Sequence, residues 1–321
     1  MKADVTARPR AWVLVLSAAV LLCAAAIPAQ QMAYETRDPA QAQDEDFARA
    51  VKEWTTQPYF TSPLVDHLPK VPGIPSPKDV IGHHVGAPAT LTYYADMLGY
   101  YRALAAATPR VRIETIGRSD EDRELVVVWV SSDENIANLQ RNRDNLARIA
   151  DPRGITPAEL RSLLATTKPN YHLIGGLHSG ETGPSEMLME LVYRLATETS
   201  PLVTQIRENV IVSVTPAAEP DGRDRNVDWF YQNQQLEAAA PAAASAGQPA
   251  SAAAAPAPAG RGGRGGPPVP YWGRYVYHDN NRDINLSQQS MRAIADWYFT
   301  AHPPIVHDLH ESQPEDRVPE A

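Results

Sequence analysis

Apolar residues recur at helical spacing from Leu91 to Ala107, and Pro109 ends the run. Two strand patterns follow, "VRIETIG" (111–117) and "ELVVVWVSS" (124–132), joined by the charged hairpin "RSDEDR". Residues 134–150 and 157–166 read as largely solvated helices. Residues 171–177 then form a strand, 184–198 a helix, and "NVIVSVT" (209–215) a continuous apolar strand of the type buried on both faces. A helix over 287–302 and a strand at "PIVHDLH" (304–310) complete the pattern. Strands that alternate with helices predict an α/β domain whose sheet is covered on both sides.

Three segments fall outside that pattern. Lys2, Arg8 and Arg10 precede an apolar run from Ala11 to Ile27 and then polar sequence, the layout of a cleaved secretory leader over 1–29. An uncleaved membrane anchor is the alternative, since the run sits at the short limit for spanning a bilayer. Residues 30–75 are polar and Pro-rich and read as an extension wrapping a domain. The stretch 237–270, rich in Ala, Pro and Gly, is too poor in large apolar residues to fold and reads as a disordered insertion within the domain 76–321. No internal repeat is apparent.

Composition narrows the function classes. The 321 residues carry a net charge of -9, which gives no basic surface for nucleic acid or anionic lipid. The single cysteine, Cys23, would leave with the leader, so the mature chain would have no disulfide and no thiol for catalysis.

Candidate chemistry centres on "YHLIGGLHSGETGPSEMLMELVYRLA" (171–196), where His178 and Glu181 stand three apart. Gly176, Gly180, Gly183 and Pro184 argue for a loop at the C-terminal end of a strand, with Gly183 capping the next helix and Pro184 in its first position. Open α/β sheets place ligand sites at such strand ends. The spacing alone fits a polar turn better than a chelating pair.

The surrounding residues resemble the zinc carboxypeptidase family, whose metal site begins with His-x-x-Glu between a strand and a helix and ends with a downstream His at another strand end. "IVHDLHES" offers His310 for the third ligand, with Ser312 behind it. His307 competes, but strand alternation puts His310 nearer the strand end. Asp308 would either orient a ligand or pair with an arginine. "VIVSVTPAAEPDGRDR" resembles the family's strand and Pro-Asp-Gly turn, and "YWGRYVYHDNNRDIN" its segment with an arginine and an Asn-Arg pair. The resemblance implies a three-layer αβα fold with a central mixed, mostly parallel sheet. It also implies one Zn2+ per chain on His178, Glu181 and His310, with Arg274 polarising the scissile carbonyl and Asn281 and Arg282 holding a substrate carboxylate. Arg223 and Arg225 compete with Arg274, and Asp283 beside Arg282 is expected to weaken carboxylate affinity.

The family's glutamate base and a tyrosine lie well beyond the third ligand, where this sequence has 311–321 alone, so a C-terminally truncated fold is expected. Glu311 is expected on the face away from the site. The implied function is an exported, secreted or periplasmic zinc metallocarboxypeptidase that hydrolyses C-terminal peptide bonds or related amides of substrates with a free carboxylate. No nucleic-acid partner and no stable membrane association are expected. The alternative is a non-catalytic zinc-site binding protein or an inactive fragment.

Overall fold

The computed structural model describes residues 37–239 and 272–311. The expected leader, most of the Ala/Pro/Gly insertion and Ser312 lie outside them. The elements in chain order are α1 (Glu45–Trp54), α2 (Pro77–Ile81), α3 (Tyr94–Ala107), β1 (Val111–Arg118), β2 (Glu124–Val130), α4 (Asp133–Ala137), α5 (Leu139–Ala150), α6 (Pro157–Thr166), β3 (Asn170–Ile174), α7 (Thr182–Thr197), α8 (Pro201–Asn209), β4 (Ile211–Thr215), α9 (Pro220–Ala239), α10 (Gln289–Ala301) and β5 (Ile305–Asp308). Short 3₁₀ turns occur at Pro58–Phe60 and Asn280–Arg282.

The sheet order is β1-β2-β4-β3-β5. β1 with β2 and β2 with β4 pair antiparallel, whereas β3 pairs parallel with both β4 and β5. Only β2 therefore runs against the others, so the sheet is mixed with most strands in one direction. Alternation along β2 divides the core. Val126, Val128 and Val130 join a cluster with α3 and α7, while Val127 and Trp129 join a second with Trp297 and Ala301 of α10. Helices therefore cover both faces, the three-layer α/β arrangement. Large side chains such as Tyr100, Tyr101, Met97 and Leu104 are fully buried in the first cluster, each contributing roughly 1.5–3 kcal/mol.

Residues 37–75 lie against this domain. Phe47 of α1 and Leu68 enter the larger core cluster, and the Gln41 side chain donates to the Thr197 carbonyl at 2.8 Å. No helix among the described residues is long and apolar enough to cross a membrane.

Several boundaries differ from the sequence reading: β3 stops at Ile174, β5 at Asp308, and the helix expected over 134–150 divides into α4 and α5. α7 begins at Thr182 with Glu181 as N-cap, so Pro184 is the third helical residue and Gly183 is not the cap. Pro fits there because a first-turn N–H has no intrahelical acceptor. "Pro-Asp-Gly" is the first turn of the 20-residue helix α9 and not an isolated turn. The Glu219 carboxylate accepts from Gly222 N three residues on, at 2.5 Å, and so fixes that start. α9 also runs into the expected insertion as far as Ala239.

Candidate metal centre

The topology directs the site to the C-terminal end of β3. From β3 the chain reaches β4 through α7, which packs in the larger core cluster. It reaches β5, on the other flank of β3, after α10, which packs in the smaller one. The strand order thus reverses at β3, and a crevice forms at the ends of parallel strands flanking such a switch point.

Backbone pairing continues past the strands, with Gly175 N donating to Thr215 O, Ala218 N to Gly175 O, and Glu219 N to Gly176 O at 2.9, 2.8 and 3.1 Å. Gly176 has φ +59°, and a Cβ there would stand 2.6 Å from Ser185 Oγ of α7. The missing side chain therefore permits both the turn and the close approach of α7. The turn carries His178 and Glu181 over the sheet end, and His310 arrives two residues after β5.

These three residues converge, with one potential ligand atom from each lying within 4.8 Å of the others. Nδ1 of His178 is 2.9 Å from Glu181 Oε1, and Nδ1 of His310 is 2.8 Å from Glu181 Oε2. The two imidazole rings lie 4.8 Å apart. Each ring engages a second carboxylate through Nε2: Asp279 for His178 at 3.2 Å, and Asp308 for His310 at 2.8 Å. A carboxylate at the outer nitrogen fixes ring orientation and leaves the inner nitrogen for a metal. His178 and Glu181 are buried, whereas the His310 side chain is 36% exposed, so the cluster opens to solvent on its His310 side.

The electrostatics favour an ionised carboxylate at the centre. Burial works against it, but hydrogen bonds to His178 and His310 hold the Glu181 carboxyl below its ordinary range. The N-terminus of α7 adds positive potential at the same place. Two imidazole nitrogens and one carboxylate are the donor set of catalytic zinc, which leaves a fourth position for water or substrate. The residues present therefore fit one zinc ion.

The other expected residues divide into three groups. Asn281 and Arg282 lie in the exposed 3₁₀ turn that Asp279 caps, its Oδ1 accepting from Asn281 N at 2.8 Å. Asn280 donates from its side chain to the Leu177 carbonyl, which pins this turn to the metal loop. Arg274 is exposed, and its backbone N donates to Glu121 Oε1 at 2.6 Å.

Of its rivals, Arg223 is ruled out as a substrate ligand. It is 1% exposed, ion-paired to Glu186, and donates to the carbonyls of Thr92 and Thr182. Arg225 donates to the Trp272 carbonyl at 2.7 Å and so supports the segment that carries Arg274.

Finally, three residues have partners of their own. Asp283 accepts from Gln288 N at 2.9 Å, Ser287 N at 3.1 Å and His278 at 3.0 Å, which commits its charge to the start of α10. These bonds outweigh burial and draw its pKa down to about 2. His307 bonds Tyr171 at 3.0 Å. Glu311, expected on the face away from the site, instead accepts from Gly183 N at 2.9 Å, two residues beyond Glu181, because β5 ends at Asp308 and strand alternation no longer governs it.

Residues 97–239 match the family model described as zinc carboxypeptidase. Carboxypeptidase D of Mus musculus is 26% identical over 176 residues, 52% of this chain and 10% of the relative. Carboxypeptidase D of Homo sapiens is 26% identical over 153 residues, 47% of this chain and 8% of the relative. The chain thus spans no more than about a tenth of the length of these curated relatives. Carboxypeptidase A from Helicoverpa armigera aligns at a TM-score of 0.39 and 14% identity, covering 74% of this chain and 52% of that one. Thrombin activatable fibrinolysis inhibitor aligns at 0.41 and 14%, covering 74% and 55%. Over residues 97–239, then, this chain is similar to the zinc carboxypeptidase family.

Proposed function

We propose that the chain is a zinc-dependent carboxypeptidase-type hydrolase that removes C-terminal residues from peptides or related N-acyl amino acids. The observation that carries the reading is the convergence of His178, Glu181 and His310 at the switch point of the sheet. Bound there, zinc would lower the pKa of a water toward ~7 and polarise a carbonyl oxygen.

The remaining roles belong to this chain's side chains. With zinc bound, Asp279 and Asp308 would hold the protons of His178 and His310 on Nε2, which would free both Nδ1 lone pairs from Glu181 for the metal. Arg282 takes the substrate's terminal carboxylate in a bidentate fork, with Asn281 beside it. Arg274 places its positive charge where the tetrahedral oxyanion develops. Glu311, engaged by Gly183 N, is not assigned as the base. A second reading is zinc binding without turnover.

The test measures zinc per chain and hydrolysis of an N-acyl dipeptide, with its C-terminal amide as control. About one zinc per chain and cleavage of the free acid alone support the hydrolase. Zinc without cleavage supports the second reading, and no zinc overturns both. Export follows from the residues 1–29 pattern, and a mature N-terminus near residue 30 in the exported fraction would support it.

A further inference from the structure

Glu219, between β4 and α9, is an acidic side chain only 1% exposed. Its carboxylate joins three segments. Oε2 accepts from Ser179 Oγ at 3.1 Å and from Gly222 N at 2.5 Å, and Oε1 accepts from Gly273 N at 3.3 Å. Ser179 lies between His178 and Glu181, and Gly273 directly precedes Arg274.

Space for this junction is built in. A Cβ on Gly222 would overlap both Glu219 Oε2 and Ser179 Oγ. The neighbouring Asp221, fully buried, accepts from Ser119 Oγ at 2.6 Å, Glu121 N at 2.9 Å and Arg123 at 2.9 Å, tying the same junction to the β1–β2 hairpin. Burial, with Asp221 adding repulsion, pushes the Glu219 pKa up to about 7. An acid kept in so unfavourable a place marks a functional junction more often than a filler of core space.

We propose that Glu219 is a positioning residue of the zinc site: its carboxylate locks Ser179, and with it the His178–Glu181 loop, to the segment that carries Arg274. This rests on the zinc reading of His178, Glu181 and His310. Glu219 touches neither substrate nor metal in this role. It sets how far apart the ligand loop and the arginine stand.

The experiment compares wild type with Glu219→Ala, Glu219→Gln and Gly222→Ala in the full chain. The Gln amide must turn a donor toward an N–H group or toward Ser179. Gly222→Ala retains every polar group and displaces the carboxylate by bulk. Zinc affinity is read by competition with a chelator, Co2+ substitution supplies a visible spectrum, and thermal melts monitor the fold. All three variants should still saturate at the wild-type stoichiometry, with affinity ~10–100-fold weaker and an altered Co2+ band, as expected when support for a metal ligand is lost.

Wild-type affinity and an unchanged Co2+ spectrum in folded variants would overturn the proposal, even if the melting temperature fell, because that pattern belongs to a structural tie. Should these variants unfold, Ser179→Ala removes only the hydroxyl, and unaltered affinity there overturns the proposal equally. A wild-type chain that takes no zinc would instead overturn the metal reading itself.

Discussion

Asp308 stands 2.8 Å from Nε2 of His310, at the ring nitrogen opposite the one that meets Glu181. Asp279 has the same relation to His178 at 3.2 Å. Each ligand ring is thus gripped from outside by a carboxylate on a different segment, one ending β5 and the other opening the 280–282 turn. Replacing His178, Glu181 or His310 with Ala should abolish stoichiometric zinc binding. Asp279→Asn and Asp308→Asn should leave the stoichiometry intact and weaken affinity by ~10–100-fold. Metal analysis after dialysis against a graded chelator separates the two classes. Full zinc retention in both histidine variants would sink the ligand assignment.

Arginine roles separate in steady-state kinetics. Arg282→Ala should raise KM ~10–100-fold, the loss of a charged hydrogen bond worth about 1.5–3 kcal/mol, with kcat nearly unchanged. Arg274→Ala should lower kcat by ~10²–10³-fold, because its contact forms only as the oxyanion develops. Arg225 supports the Trp272 carbonyl, so Arg225→Ala should have the smaller effect of the two. The reverse order would transfer the oxyanion role to Arg225.

Much of this site was legible in the sequence because its chemistry is concentrated in short segments. "HSGE" lies at a strand end, and strand alternation separated His310 from His307, which the structure places against Tyr171. The α/β class followed from periodicity, and the twin-faced burial of β4 from its continuous apolar run. Other features were hidden for physical reasons. α8 carries the Ser200-Pro201 start signal, with Ser200 capping Val203 N, but its nine residues offer only Leu202, Val203 and Ile206 as large apolar positions, too short a run to stand out as a helix. α9 carries almost no apolar periodicity, and its Pro-Asp-Gly opening is turn chemistry, so its start read as a turn. Asp279 and Glu219 act through contacts with residues 101 and 40 positions away, a pairing that no local spacing encodes. Asp279 nevertheless stood in view, immediately before the Asn-Asn-Arg of the substrate segment.

The Arg223–Glu186 pair tests the division between substrate-binding and structural arginines. Both partners are buried, and Glu186 also accepts from Thr92 N at 2.7 Å and Thr92 Oγ1 at 2.8 Å. Arg223→Ala leaves that carboxylate buried without its cation and should cost about 3–5 kcal/mol. Urea denaturation should show a lower midpoint with an unchanged slope. A folded Arg223→Ala chain of wild-type stability would mean that the pair is not what joins α7 to α9.

Glu219 also gives stability a definite pH dependence. Its folded pKa of about 7 lies above the ordinary 4.5, so between those values the native state holds more protons than the unfolded chain. Its contribution is therefore complete below about pH 4.5 and is lost as pH rises through about 7. The gap amounts to roughly 3 kcal/mol at ~1.36 kcal/mol per pH unit. His172 acts with the opposite sign. Burial draws its pKa down to about 3, so its contribution is present above its ordinary 6.5 and lost as pH falls toward 3. Subtracting the profile of Glu219→Gln from that of wild type cancels His172 and isolates the acid. The measurement requires zinc-free protein, since metal binding itself releases protons. The wild-type advantage over Glu219→Gln should shrink steadily from pH 4.5 to 7 and then level. An advantage that is level from pH 4.5 to 7 and falls only below pH 4.5 would mean that Glu219 is held ionised by its three donors more strongly than burial and Asp221 oppose it.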